Sequence, residues 1–109
     1  MSAETAASEK QQKEVVEFLE SFIFMRLGQA ISKGHWEAAM MTLRRMERET
    51  KRLGIHSFDQ SLVGLRQAVL NKNIQQGKQI MAVVTARRVR MREDLKKTSS
   101  LLSQDPNEQ

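Results

Sequence analysis

The sequence predicts an all-α protein, specifically an up-down four-helix bundle, on three observations. Its long segments are free of proline, since Pro106 is the only one, and are rich in Ala, Leu, Met, Glu, Gln, Lys and Arg, the residues that favour helix. Apolar residues recur at three- and four-residue spacing within those segments. No segment alternates apolar and polar residues as a half-buried strand would. Two glycines and one Asn-Lys-Asn run divide the pattern into four pieces, and short connections of this kind make neighbouring helices antiparallel.

The first predicted helix spans Glu9 to Lys33, with Val15, Phe18, Leu19, Phe22, Met25 and Ala30 on its core stripe and Gly34 as a left-handed stop. It carries a second apolar face of Val16, Ile23, Phe24 and Leu27. At about 100° per residue, Phe24 falls nearly opposite Val15. Such a helix is either flanked on both sides or presents Ile23, Phe24 and Leu27 as an apolar interface for a partner or a second copy. The second helix spans His35 to Leu53, with Trp36, Ala39, Met40, Leu43, Met46, Thr50 and Leu53 on one stripe and Gly54 as its stop. Ser57 is the expected N-cap of the third helix, with Gln60 completing a capping box, and Phe58, Leu62, Leu65 and Val69 face the core. After the polar turn Asn71-Lys72-Asn73, the fourth helix spans Ile74 to Lys97, with Ile80, Met81, Val84, Met91 and Leu95 inward. The domain is therefore residues 9–97, and residues 1–8 and 98–109 are expected to be disordered tails. At 109 residues the chain has room for one domain and a modest core.

Composition removes several functions. There is no cysteine, which excludes disulfides, thiol catalysis and cysteine-bound metal. No apolar run approaches the roughly 20 residues of a membrane span. The polar start MSAETAASEKQQKE lacks the pattern of a signal peptide, so the expected compartment is the cytoplasm. No phosphate loop, nucleophile elbow or metal motif is present. The expectation is a protein that is not an enzyme and takes no cofactor. The net charge is +5. It suits an acidic partner or serves solubility. Few aromatic residues are available to stack on bases, which argues against nucleic acid.

Charge on the second helix is organised. Arg44, Arg48 and Lys51 fall at i, i+4 and i+7 along one flank, and Arg45 and Arg52 extend the positive surface. This is a solvated face balanced by Glu37, Glu47 and Glu49, or a docking surface for an acidic partner. Arg26, Glu47 and Arg88 each fall four residues after a core position. An isolated buried charge is costly, so Glu47 is expected either to pair with Arg26 or Arg88 across the bundle, or to lie with them at its edge.

From Leu27 to about Gly77 the chain resembles a histidine phosphotransfer domain. Trp36 matches the start of that family's phosphotransfer helix, Leu53-Gly54-Ile55 its stop, and Phe58, Leu62, Leu65 and Ala68 the helix that follows. The family relays phosphoryl groups between histidine kinases and receiver domains through one exposed histidine. In this register the histidine position holds Arg44, the leucine position Met46, the lysine position Glu47 and the glycine position Arg48. A guanidinium stays protonated and cannot carry phosphate. His35 and His56 lie at the ends of the helix, outside the motif. The resemblance thus implies a phosphorylation-incompetent regulator or decoy that meets the acidic pocket of a receiver domain. Two other readings stay open. One is a small helical adaptor or chaperone, with a homodimer through the first helix. The other is a basic nucleic-acid-associated protein.

Overall fold

The computed structural model describes the backbone of residues 3–103 and the side chains of residues 9–97. The described residues form five α-helices and no strand. The helices are α1 (Ala3–Leu19), α2 (Ile23–Ser32), α3 (Trp36–Leu53), α4 (Asp59–Leu70) and α5 (Ile74–Ser103). Helix α2 packs on α3 and α5, α4 on α3 and α5, and α1 on α5 and α3. The molecule is elongated, 56 × 27 × 20 Å, because α5 runs for 30 residues, about 45 Å at 1.5 Å per residue. Helices continue into both segments expected as tails, since Ala, Glu, Gln and Lys support helix without an apolar stripe. The outermost parts of those tails, residues 1–2 and 104–109, lie outside the described residues.

The expected first helix is two helices, and the break reverses its faces. The carbonyl of Phe18 accepts both the backbone N–H of Ser21 (3.1 Å) and its hydroxyl (2.7 Å). The next carbonyl, Leu19, accepts the guanidinium of Arg88. A serine hydroxyl that bonds back to a carbonyl competes with the helical ladder and bends it. Beyond the bend the chain restarts in a new phase. Phe24 (3% exposed), Leu27, Ala30 and Ile31 turn inward, whereas Phe22 (69% exposed) and Met25 turn out. The bend also brings Phe18 and Phe24 edge to face, 5.2 Å between centroids, a favoured aromatic arrangement.

The core is one cluster. Leu19, Leu27, Ile31, Leu43, Met46, Phe58, Leu65 and Val84 are its largest fully enclosed side chains. Each such apolar side chain stabilises the fold by roughly 1.5–3 kcal/mol. Phe58 belongs to it, as expected, and stands at the N-cap position of α4. Accordingly α4 begins at Asp59 without a side-chain cap, in place of the expected Ser57–Gln60 box. The helix ends follow one pattern three times. Gly34, Gly54 and Lys72 take positive φ of 69°, 69° and 53°. The N–H of the residue after each bonds five residues back, His35 to Ala30, Ile55 to Thr50 and Asn73 to Ala68, as in a Schellman end. Asn73 then caps α5 through its side-chain oxygen, which accepts the N–H of Gln76 at 3.0 Å.

Candidate functional site

The basic flank of α3 does not stand alone. A Cβ stripe on α3 carries Met41, Arg44, Arg48 and Lys51, and a facing stripe on α4 carries Val63, Arg66 and Leu70 at i, i+3 and i+7. Between them lies a shallow depression of about 610 Å³ lined by Met41, Arg44, Glu47, Arg48, Lys51 and Arg66. A second one, of about 560 Å³, continues along the same seam past Ile55, Leu62 and Val63 to His56 and Asp59 at its far end. The local reason is periodicity: these positions fall on the shoulder of each helix once Leu43, Met46 and Thr50 of α3 and Leu62, Leu65 and Val69 of α4 are committed to the core.

Glu47 is the one carboxylate in the upper depression, and it pairs with Arg66 of α4. This corrects the expectation that Glu47 meets Arg26 or Arg88. Glu47 lies on the shoulder that faces α4, so the nearest guanidinium comes from α4. Arg88 instead donates to the Leu19 carbonyl and lies over the Phe24 ring, 5.2 Å from its centroid. It fills the free C-terminal end of α1 and covers an aromatic face. Arg26 is exposed and lines a separate cleft of about 520 Å³ between the α1–α2 bend and α3, with Arg45, Arg52, Glu14, Glu17 and Glu49.

The five basic residues of α3 therefore divide. Arg44, Arg48 and Lys51 face the α4 seam, while Arg45 and Arg52 face the α1–α2 cleft. Arg52 is engaged there by Glu49 at 2.8 Å and Glu14 at 3.3 Å. Its hydrogen bond to Glu49 is the main cause that holds its pKa above the ordinary arginine value. The expected apolar interface of Ile23, Phe24 and Leu27 is likewise corrected. Phe24 and Leu27 are core and Ile23 packs against it, because the bend rotated them inward.

His35 and His56 are exposed at the two ends of α3, and His56 lies 3.1 Å from the Asp59 carboxylate. Among the described residues no three side chains of His, Asp or Glu come together to hold a metal ion. Nor is any described helix long and apolar enough to cross a membrane. Sequence reasoning missed Arg66, Met41, Val63 and Leu70. The available signal was that Val63, Arg66 and Leu70 share a spacing displaced by one residue from the Leu62–Leu65–Val69 stripe. Taken together, fold and surface define an all-α protein with a basic seam studded with apolar side chains. Comparison with family models, with curated proteins and with solved structures finds no match.

Proposed function

We propose that the protein is a non-catalytic helical binding module that docks an acidic protein surface on the α3–α4 seam. The observation that carries this reading is the convergence of Arg44, Arg48, Lys51 and Arg66 on one depression whose single carboxylate, Glu47, is already paired. Complementary charge raises association rates and selects partners. The short connections and the packing of α5 on α2 and α4 support an up-down four-helix arrangement in which α1 and α2 together are the first member. In the finer form of the proposal the module is a histidine phosphotransfer-like regulator in the cytoplasm, and the partner is a receiver domain with an acidic pocket. Arg44, exposed in the middle of α3, then offers that pocket a permanent cation and no acceptor for phosphate.

Calorimetric titration with an unphosphorylated receiver domain tests the partner. Binding is expected, weakened at least tenfold by Arg44→Glu and by raised salt. No binding would remove the receiver from the reading. Incubation with a phosphorylated receiver is expected to leave no acid-labile phosphate on the protein, and phosphate on His35 or His56 would overturn the non-catalytic role.

A second reading, self-association, is favoured by one observation: Phe22, the residue that opens α2, and Met25 in its first turn are both exposed, at i and i+3. Sedimentation should then reveal a concentration-dependent dimer that Phe22→Glu abolishes. A monomer at all concentrations removes this reading.

A further inference from the structure

We infer that the occupant of the α3–α4 seam is an acidic amphipathic helix of a partner protein, an inference that rests on the docking reading above and specifies its mode. Its apolar side chains seat on Met41, Val63 and Leu70, and its carboxylates pair with Arg44, Arg48, Lys51 and Arg66.

Three observations lead there. First, the seam is not simply basic. Met41, Val63 and Leu70 are 72%, 64% and 61% exposed, and each shares its stripe with guanidinium or ammonium groups, so the surface asks for apolar and anionic groups in alternation. Second, the seam is long and shallow. Val63 to Leu70 covers about 10 Å along α4 and Met41 to Lys51 about 15 Å along α3, at 1.5 Å per residue. Two to three turns of a helix present anchors at i, i+3, i+4 and i+7 over that length. Third, the charge excludes the other occupants. A second copy offering the same seam would bring the same four cations against only two carboxylates, Glu47 and Asp59, the first already paired with Arg66, so like charge would dominate the contact. A nucleic acid would leave Met41, Val63 and Leu70 with nothing to cover them, and the seam carries no Phe, Tyr or Trp on which a base could stack, only the exposed His56 at one end. The Glu47–Arg66 pair at the centre of the groove fixes the Arg66 guanidinium between Val63 and Leu70, one turn from each, so a partner carboxylate is met by an oriented donor.

The test uses fluorescence anisotropy with two labelled synthetic 14-residue peptides of the same composition. In one, leucines stand at i, i+3, i+4 and i+7 with glutamates on the flanks. In the other the same residues are scrambled so that no helical face is apolar. Each is titrated with the full-length protein, with Arg44→Glu/Lys51→Glu, and with Val63→Gln/Leu70→Gln. All four substitutions are on the surface, and circular dichroism checks that the variants stay helical. The expected result is binding of the amphipathic peptide at least tenfold tighter than the scrambled one, with at least a tenfold loss in each double variant. If both peptides bind equally and only the charge variant weakens them, the helix inference fails while the basic docking surface stands. Undiminished binding to Val63→Gln/Leu70→Gln also overturns the inference. If neither peptide binds, both the inference and the docking reading fall.

Discussion

Two regions of this molecule are built by different means. In the body, α2, α3, α4 and the first part of α5 each contribute fully enclosed apolar side chains, among them Leu27, Ile31, Leu43, Met46, Leu65 and Val84. In the arm, formed by α1 and the rest of α5, enclosure fades. Among the described side chains α1 buries only Phe18 and Leu19, at its very end, and beyond Val84 the α5 residues Met91 and Leu95 are only partly covered. Polar contacts take over there. Arg88 caps the end of α1, Gln11 donates to the Leu53 carbonyl at 3.2 Å, Arg52 reaches Glu14, and Lys96 reaches Glu20 at 3.4 Å. The body is thus held by area removed from water and the arm by a few directional bonds, the half-buried Arg88 and Gln11 contacts together with exposed ion pairs that are each worth little. Hydrogen exchange should be slowest in the body and faster along α1.

The sharpest way to break this contrast is to remove matched side chains. Leu43→Ala in the body should cost about 2–5 kcal/mol. Leu95→Ala in the arm should cost less than half of that, and equal losses in urea denaturation would mean that the arm is as well packed as the body. Next come two helical glycines. A Cβ at Gly77 would stand 2.6 Å from Ile31 Cγ2, whereas one at Gly28 would meet only Met81 Cε at 3.7 Å. Gly77→Ala should therefore destabilise by roughly 1–3 kcal/mol through overpacking of α2 on α5. Gly28→Ala should stabilise by up to about 1 kcal/mol, because alanine is the better helix former. Opposite thermal shifts are the signature.

Arg88→Met tests the hinge between the two regions. It removes a charged donor from the Leu19 carbonyl, and the expected cost is about 1.5–3 kcal/mol. Amide exchange should accelerate mainly in α1, and uniform acceleration would show that Arg88 serves the body instead. Lys72→Gly should stabilise by about 1 kcal/mol, since Lys72 holds a left-handed conformation that glycine adopts freely. The smallest effect belongs to Glu20→Gln. Its loss of the Lys96 contact should change stability by no more than about 0.5 kcal/mol, as for exposed ion pairs generally.

Much of this architecture was legible in advance. Gly34 and Gly54 ended helices where expected, and Ala39, Leu43, Met46, Thr50 and Leu53 formed the buried stripe of α3. The all-α class followed from the same signals. The surface was less legible. Arg44, Arg48 and Lys51 do share a flank, but their companions Arg66, Val63 and Leu70 come from another helix. The bend was hidden because Glu20-Ser21-Phe22 contains neither glycine nor proline, and its cost to the helical ladder is met by a distant guanidinium.

The division has a physical cause. Helix periods and helix ends are settled within six or so residues, by propensity, by a stripe of apolar side chains and by which residue tolerates positive φ. Partners are settled by how two helices align, and neighbours on the chain do not encode that alignment. Glu47 and Arg66 are 19 residues apart, and Arg88 and Leu19 are 69 apart. So the segments after Gly34, their inward faces and the basic flank of α3 were determined locally. The reversal of Phe22 and Phe24, the pairing of Glu47 and the apolar-studded seam were decided only when the helices packed.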